Sequence, residues 1–351
     1  MSGGTLLIRA DATVGMGTGH IMRSLALAQA WQDAGGRVLF AMAEATPSIR
    51  ERLQSEQIEV LRINGTAGSP EDAWEVLGHA SKHGAEWLVL DGYHFGIDYQ
   101  KRLSANGIKI LLIDDHALAG GSAADVILDQ NSNARADVYA ARTSETRMLL
   151  GTRYALLRRE FLAWLHWNRV VPQTGNRILV AMGGSDPDNQ TLRVLQMLGS
   201  TGISGLQIQV AVGGSNPHVG RLKQFVAQAG REIELLRNTL DMPSLLASSD
   251  MVLIAGGGTL WEALFMGCAV LSLARNDVQR SIVKDLEAKA AAIYLEHDGQ
   301  GWNQRIQEQI ERTGNSKRLR ELFAAKGREI VDGRGAGRVV QVLLGNGDGV
   351  D

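Results

Sequence analysis

Short, continuously apolar runs alternate with amphipathic segments along the first 130 residues. The apolar runs, which predict strands, lie at 6–10, 37–43, 58–63, 87–92, 109–114 and 125–129. The amphipathic segments, which predict helices, lie at 21–36, 47–57, 70–84 and 99–107. Because the apolar strands are separated by helices, this half of the chain predicts a parallel sheet covered on both faces.

A second strand–helix series follows a break in the pattern. Its predicted strands lie at 177–184, 206–214, 232–238, 250–258, 269–274 and 291–296. The break contains a predicted helix at 154–167, and Pro172 and Gly175 then mark a linker. We therefore predict an α/β protein with an N-terminal Rossmann-like domain at 1–170, a C-terminal one at 171–345 and a disordered tail at 346–351.

Two doubly wound domains of this kind are expected to face each other across a cleft. Ligands of open parallel sheets bind at the carboxyl ends of the strands. The Gly-rich corners of this chain follow predicted strands, so the candidate chemistry belongs at those strand ends.

Composition excludes several classes of protein. The 351 residues carry 36 Lys and Arg against 38 Asp and Glu, so the formal net charge is −2 and no nucleic-acid partner is expected. A single cysteine, Cys268, excludes a disulfide framework and an all-cysteine zinc site. The first residues lack the basic start of a secretory signal, so we expect a cytoplasmic location. The sequence does not predict an oligomeric state.

The longest apolar stretch runs from 251 to 274, with Glu262 as its one charged residue. Its length would allow a membrane span. The glycines at 256–258 divide it into a strand-like and a helix-like half, so we predict a buried strand–loop–helix–strand and no span.

The first candidate motif joins the first strand to the first helix and reads RADATVGMGTGHIMR, at 9–23. Gly15, Gly17 and Gly19 permit close approach of a ligand to the backbone, and a helix start favours an anion. The spacing is not that of a dinucleotide-binding loop, which leaves a phosphate or a sugar diphosphate. His20 is a candidate catalytic residue, with a helix-capping or solvated histidine as the alternative.

The second candidate motif opens a helix after the strand at 250–258. Gly257, Gly258 and Thr259 predict a cradle for a diphosphate, and Glu262 is a candidate acceptor for ribose hydroxyls. The alternative is a tight turn in which Glu262 lies favourably near the helix start.

Further polar corners follow other strands. Gly183, Gly184, Ser185 and Gly213 belong to two similar corners, which are candidates for nucleotide binding or ordinary turns. Asn276 and Gln279 are candidates for sugar binding or an ordinary polar loop.

Acidic residues end two strands of the first series, Asp91 before Tyr93 and the pair Asp114–Asp115 before His116. Two acids and a histidine suggest a metal, but aspartate at strand ends commonly caps loops, and no third clustered ligand is apparent. We predict no metal and no cofactor.

In their order along the chain, these motifs resemble the UDP-2,4-diacetamido-2,4,6-trideoxy-β-L-altropyranose hydrolases of pseudaminic acid biosynthesis. The resemblance runs from residue 6 to about 296, and its segments are Arg9–Ala–Asp11, the Gly-x-Gly-His-x-x-Arg segment ending at Arg23, Asp91/Tyr93, Asp114–Asp115, DVILDQNSNARADVYA, GTRYALLRREF, AMGGSDP, GGSNP and the Gly-x-x-x-x-Glu segment.

This resemblance implies a GT-B-like pair of Rossmann-type domains, similar to the UDP-GlcNAc transferases of peptidoglycan synthesis. It also implies metal-independent removal of UDP from a UDP-sugar, with inversion at C1 and His20 as the base that activates water. The residues it assigns to the sugar are Arg9, Asp11, Gly17, Gly19, Arg23, Tyr93, Asn276 and Gln279; those it assigns to the nucleotide are Gly183, Gly184, Ser185, Gly213, Gly257, Gly258, Thr259 and Glu262.

The chain departs from the family pattern at two places. Asn276 and Gln279 are separated where the family has an adjacent pair, and Gly92 stands where histidine is common. Both departures bear on the identity of the sugar. The sequence leaves open a GT-B glycosyltransferase, an inactive UDP-sugar-binding protein and, ranked lower, an epimerase.

Overall fold

The computed structural model describes residues 3–12, 17–115, 121–143, 145–296 and 302–346, which form two compact units. Of these residues, the first unit contains 3–12, 20–159 and 333–346. The second unit contains Gly17–Gly19 and 160–332. Each unit is built on one parallel sheet, as the alternation of strands and helices predicts.

The first unit carries a seven-stranded sheet in the order β3-β2-β1-β4-β5-β6-β7. Its strands are β1 (Thr5–Ala10), β2 (Arg37–Met42), β3 (Glu59–Arg62), β4 (Ala85–Asp91), β5 (Lys109–Ile113), β6 (Val126–Asp129) and β7 (Arg147–Leu150). Its helices are α1 (Gly19–Asp33), α2 (Pro47–Ser55), α3 (Pro70–His83), α4 (Ile97–Ser104) and α12 (Gly335–Leu343). All paired strands are parallel.

Local sequence explains where these helices begin and end. In α3, Ser69 accepts a hydrogen bond from the Asp72 amide, Pro70 occupies the first turn, and Gly84 ends the helix in a left-handed conformation. The central strands are buried along nearly their whole length because helices cover both faces of the sheet.

The second unit carries a six-stranded parallel sheet in the order β10-β9-β8-β11-β12-β13. Its strands are β8 (Arg177–Ala181), β9 (Gln207–Val212), β10 (Ile233–Arg237), β11 (Met251–Ala255), β12 (Ala269–Leu273) and β13 (Ala292–Tyr294). Its helices are α5 (Gln190–Leu198), α6 (Val219–Gln228), α7 (Met242–Ser248), α8 (Thr259–Phe265), α9 (Asp277–Ala288), α10 (Trp302–Asn315) and α11 (Lys317–Ile330).

The apolar stretch at 251–274 is the buried strand–loop–helix–strand that its glycines predict. It forms β11, α8 and β12, and every residue of both strands is buried. In the described part of the chain, no helix is both long and apolar enough to cross a membrane.

Residues 154–167 do not form the predicted helix. The structure has two short 3₁₀ segments instead, Thr152–Tyr154 and Arg159–Trp164. The amide of Leu156 donates to Gln130 Oε1 at 2.8 Å, and the amide of Arg159 donates to Gln29 Oε1 at 2.8 Å. Because side chains from elsewhere in the fold take these amides, a regular helical ladder does not form.

The division into units differs from the predicted boundary after residue 170, since it falls between Arg159 and Glu160. The last helix, α12, returns to the first unit, where Val339 and Val340 join its core. The Trp87 indole donates to the carbonyl of Leu343 at 3.0 Å. Of the predicted tail, residues 347–351 lie outside the described residues.

Candidate functional site

His20 lies at the point of the first sheet where the chain order reverses. The strand order places β1 beside β4, and α1 starts shortly after β1. Gaps of this kind at the carboxyl ends of parallel strands are the usual ligand sites of doubly wound folds. His20 is the second residue of α1, and Asp91 is the last residue of β4.

His20 and Asp91 form a direct pair. His20 Nδ1 lies 2.6 Å from Asp91 Oδ1, and the two side chains are 7% and 0% exposed. Nδ1 has two neighbours: Asp91 only accepts hydrogen bonds, and Arg23 Nη2, which lies 3.1 Å away, only donates them. The contact with Asp91 is the shorter one, so we place the hydrogen on Nδ1, which leaves the lone pair on Nε2. Among the described residues, no group hydrogen-bonds to Nε2, so this lone pair is available to take a proton.

Three further donors converge on Asp91. Arg23 donates from Nε to Oδ2 at 2.9 Å and from Nη2 to Oδ1 at 2.6 Å, and Ser24 Oγ donates to Oδ2 at 2.8 Å. Burial would raise the pKa of Asp91, but the charge of Arg23 and the contact with His20 outweigh it and hold that pKa well below its usual range. Asp91 is therefore a permanent carboxylate that fixes the orientation of the His20 ring.

Arg23 also reaches the neighbouring strand end. Its Nη1 donates to Asp115 Oδ2 at 2.8 Å, so one guanidinium connects the ends of β4 and β5. Burial opposes the charged form of Arg23, but Asp115 and Asp91 outweigh it and raise its pKa further above its already high value. The predicted sugar-binding residue Arg23 is thus engaged by two carboxylates.

Tyr93 covers one side of the His20 ring. The two rings meet edge to face with their centroids 4.9 Å apart, and Tyr93 is 45% exposed. Burial, followed by the charge of Asp115, raises the pKa of Tyr93 to about 12, so the phenol stays protonated at neutral pH. Its exposed face suits the predicted contact with a sugar.

Arg9 and Asp11, both predicted to bind the sugar, are engaged in contacts inside the first unit. Arg9 is fully buried, and its guanidinium donates to Asp72 at 2.9 and 3.1 Å and to Asp11 at 2.7 Å. Asp11 Oδ1 accepts from the amides of Ala43 and Glu44. Both side chains therefore hold the carboxyl ends of β1 and β2 in place, and Arg9 has no exposed surface with which to touch a substrate.

In the second unit, all predicted nucleotide residues follow neighbouring strands of one sheet. They come after β8, β9 and β11, and Asn276 and Gln279 come after β12. Because the carboxyl ends of parallel strands share one edge, these residues lie along a single edge of this sheet. The gap between β8 and β11 is its topological reversal point.

The two similar corners touch each other. A Cβ on Gly213 would overlap the backbone of Gly184, so this contact requires glycine. Gly183 has a left-handed φ of +94°. Gly213 thus acts here by permitting the packing of the corners.

Ser185 is the unexplained member of this corner. It is 1% exposed, and its Oγ has no hydrogen-bond partner among the described residues. A buried hydroxyl of this kind indicates a missing partner. Gly17, of the same unit, lies next to it, since a Cβ there would be 3.5 Å from Ser185 Oγ, and a Cβ on Gly184 would overlap the Thr18 hydroxyl.

The start of α5, by contrast, already holds a carboxylate. Asp186 accepts from the amides of Gln190 at 2.8 Å and Thr191 at 2.9 Å, and from the Thr191 hydroxyl. Of the predicted nucleotide-binding corner, Ser185 therefore remains for a ligand, whereas the amides at the first turn of α5 do not.

The loop between β11 and α8 leaves space above its glycines. A Cβ on Gly257 or Gly258 would meet no atom within 4 Å among the described residues, so packing does not explain these two glycines. Gly258 precedes Thr259, the first residue of α8, and has no side-chain cap. Glu262 follows one turn later and is 8% exposed. Gly19 is open in the same way at the start of α1.

Asn276 and Gln279 form a reciprocal helix cap. Asn276 Oδ1 accepts from the Gln279 amide at 2.9 Å, and Gln279 Oε1 accepts from the Arg275 amide at 2.9 Å. Each oxygen accepts one hydrogen bond within the cap, and the amide hydrogens of both side chains suit a sugar. The separation of the two residues is the spacing that this cap needs.

Sequence reasoning missed the partners of His20. The sequence indicates Asp91 and Asp115 only as metal ligands or loop caps, and nothing in it marks Ser24. The available signal was topological, because acids that end neighbouring strands meet at one edge. Within the described ranges, no group of three or more His, Cys, Asp and Glu residues has a geometry that would hold a metal ion. Gly15 and His116 lie outside the described residues.

Comparison with known proteins confirms the resemblance. No protein-family model matches the chain. The chain is 27% identical over 263 residues to the UDP-2,4-diacetamido-2,4,6-trideoxy-β-L-altropyranose hydrolase of Campylobacter jejuni, which covers 74% of this chain and 88% of the hydrolase. It is 23% identical over 298 residues to protein MJ1062 of Methanocaldococcus jannaschii, covering 83% of this chain and spanning 60% of that protein.

The predicted fold class is also confirmed. MurG of Acinetobacter baumannii superposes with a TM-score of 0.66 at 17% identity, covering 98% of this chain and 99% of MurG. At this identity the likeness establishes the fold alone, which is GT-B-like and has two parallel-sheet α/β domains.

Proposed function

We propose that this chain hydrolyses a UDP-activated acetamido-deoxy sugar to UDP and the free sugar, with inversion at C1 and without a metal. The substrate we assign is UDP-2,4-diacetamido-2,4,6-trideoxy-β-L-altropyranose, the compound named for the C. jejuni relative. The observation that carries the proposal is the His20–Asp91 pair, which leaves Nε2 of a buried imidazole available as a base.

The proposed reaction is a single displacement. A water oxygen forms a bond to C1 while His20 Nε2 takes a proton from that water. The bond between C1 and the β-phosphate oxygen breaks, and its electron pair leaves with UDP. Because attack and departure occur on opposite sides of C1, the configuration inverts.

Asp91 supports this step by holding the ring. Its bond to Nδ1 fixes the tautomer and stabilises the imidazolium that forms when Nε2 takes the proton. Tyr93, edge-on to the ring and half exposed, is assigned to the sugar together with Gly17, Gly19 and the amide groups of Asn276 and Gln279.

We assign UDP to the second unit. Gly257 and Gly258 leave open space beside the backbone, and the amides of Gly258 and Thr259 lie at the start of α8. The Gly257 amide itself donates to the Ala255 carbonyl at 2.8 Å. The buried Ser185 hydroxyl has no partner among the described residues. Glu262 is assigned to the ribose hydroxyls. UDP is a good leaving group at neutral pH, so fixed amide dipoles directed at its phosphates stabilise the departing charge more than a proton would.

The test is UDP release from a panel of UDP-sugars without any acceptor, with the product anomer identified by NMR. We expect steady UDP release and an inverted anomer. His20→Asn should lower turnover at least about 100-fold while the protein stays folded, because a positioned base contributes about 10²–10⁴-fold. Turnover by this variant within about threefold of the original chain would remove His20 from the reaction.

One other function has an observation in its favour. The fold is shared over nearly the whole chain with MurG, so an acceptor hydroxyl in place of water is the second candidate. Absence of UDP release without acceptor, followed by release when an acceptor is added, would replace the hydrolase with a glycosyltransferase. Tight UDP binding with no turnover under either condition would indicate a binding protein.

A further inference from the structure

The guanidinium of Arg23 is held between two carboxylates. Nε and Nη2 bind Asp91, and Nη1 binds Asp115 at 2.8 Å. The side chains of Arg23, Asp91 and Asp115 are 10%, 0% and 18% exposed. Arg23 lies one helical turn after His20 on α1, so its charge is fixed beside the ring that Asp91 orients.

The charges around His20 act in opposite directions. Asp91 and Asp115 are negative, whereas Arg23 is positive, and its Nη2 lies 3.1 Å from His20 Nδ1. Asp115 offsets part of the charge of Arg23. Tyr93 is the other titratable group packed on the ring, and its phenol is neutral. Asp114, which follows β5, and Asp129, which ends β6, are further acids at the neighbouring strand ends.

We propose that Arg23 and Asp115 are positioning residues for His20: Arg23 holds Asp91 against the ring, Asp115 holds Arg23, and their opposite charges act in opposite directions on the pH dependence of UDP release. This inference rests on the proposed role of His20 as the base. It assigns Arg23 a function without any contact to substrate. It also assigns a role in the reaction to Asp115, which the sequence indicates only as a metal ligand or a loop cap.

The opposite charges of Arg23 and Asp115 lead to two predictions of opposite sign for the pH dependence of UDP release. Arg23→Gln removes the positive charge, so the acid limb of the pH–rate profile should move to higher pH by about one unit. Asp115→Asn leaves the charge of Arg23 less compensated, so the limb should move to lower pH by about half a unit. A role confined to folding would lower the rate without moving the limb in opposite directions.

Two further variants separate charge from shape. Arg23→Lys keeps the positive charge and should leave the limb within about 0.3 unit of the original chain. Asp137→Asn, in the exposed ion pair with Arg135, should leave both the rate and the limb unchanged. If Arg23→Gln fails to fold, the shift in Asp115→Asn decides the test.

A measurement without substrate keeps this inference separate from the proposed function. The His20 ring is followed by NMR in protein labelled at histidine, and its signal is assigned by its loss in His20→Gln. The ring should gain its proton at higher pH in Arg23→Gln and at lower pH in Asp115→Asn. Identical titration curves in the original chain and both variants would overturn the inference, whether or not UDP release is found.

Discussion

Asp91 Oδ1 lies 2.6 Å from His20 Nδ1, although the two residues are 71 positions apart in the chain. The contact arises because β1, which precedes His20, pairs directly with β4, which ends at Asp91. A separation this short is typical of a charge-assisted hydrogen bond. Parallel-strand topology, rather than a local motif, therefore supplies the partner of the candidate base.

Asp91→Asn tests whether this contact matters for turnover. An asparagine keeps the shape but loses the charge that fixes the Nδ1 hydrogen and stabilises the imidazolium. We expect UDP release to fall at least about 100-fold, with KM within about threefold. Steady-state kinetics on the preferred UDP-sugar, together with a thermal melt to verify folding, provide the measurement.

Ser24→Ala is the matched control for Asp91→Asn. Ser24 Oγ donates one neutral hydrogen bond to Asp91 Oδ2 at 2.8 Å, while the contacts to His20 and Arg23 remain. We expect a loss of about tenfold, at the lower end of the roughly 1.5–3 kcal/mol that a hydrogen bond to a charged group contributes, because Arg23 still holds Asp91 in place. Equal losses in both variants would mean that Asp91 acts through the fold and not through the ring.

Arg9→Met tests the structural role that burial assigns to Arg9. The substitution leaves the carboxylates of Asp72 and Asp11, 0% and 6% exposed, without their positive partner. Breaking a buried pair in this way typically costs about 3–5 kcal/mol. Unfolding in urea should show a loss of stability of that order.

The control for Arg9→Met is Arg37→Met, which breaks the exposed pair with Glu59. Both side chains are more than half exposed, so its effect should stay within about 1 kcal/mol. If Arg9→Met instead kept its stability and raised KM, Arg9 would contact the substrate as the sequence predicts.

Asp129→Asn tests a carboxyl group that destabilises the fold when it ionises. Burial raises the pKa of Asp129 to about 6, and repulsion from Asp114 and Asp115 adds to the shift. Since the folded state holds this proton more tightly than the unfolded state, stability falls as pH rises from about 4 to about 6 and stays reduced above that.

Asparagine at position 129 has no proton to lose and can still accept from the Tyr139 hydroxyl, which lies 3.1 Å from the carboxyl oxygen. At pH 8 the variant should therefore exceed the original chain by roughly 3 kcal/mol in free energy of unfolding, with the difference disappearing toward pH 4. Urea unfolding at both pH values measures it. A constant difference across this range would contradict the assignment of the raised pKa.

The architecture was largely predictable because it depends on short-range patterns. The local sequence indicates the secondary structure of continuous apolar runs such as β11 and β12 and of capped segments such as α3. The return of α12 to the first unit and the edge strand β7 were not predictable, because they depend on contacts between distant segments. Two 3₁₀ segments replace the predicted helix within 152–164 for the same reason, since Gln130 and Gln29 accept from the amides of Leu156 and Arg159.

The site was predictable in part. Glycine spacing and the resemblance identified His20 and the open glycines at 257–258. They did not distinguish Arg9, whose polar groups face inward, from residues that face a ligand. A residue type at a strand end indicates a site, but the exposure of its side chain is set by three-dimensional packing.

Asn276→Asp separates helix capping from substrate binding. Asp keeps the acceptor that caps α9 at Gln279 N, so stability should stay within about 0.5 kcal/mol, whereas Asn276→Ala should lose about 1 kcal/mol. Asn276→Asp loses the amide hydrogens, which the cap leaves available, so we expect KM for the UDP-sugar to rise about tenfold. An unchanged KM in the stable Asp variant would restrict Asn276 to the cap.

Gly257→Ala tests whether UDP approaches the backbone between β11 and α8. A Cβ there meets nothing within 4 Å among the described residues, so the free energy of unfolding should change by less than about 0.5 kcal/mol. A phosphate seated on these amides would collide with that Cβ, and we expect the Kd for UDP to rise at least about tenfold. Gly220→Ala, also in open space in α6, is the control and should bind UDP normally. Calorimetric titration with UDP measures both variants, and equal affinities would place the diphosphate elsewhere.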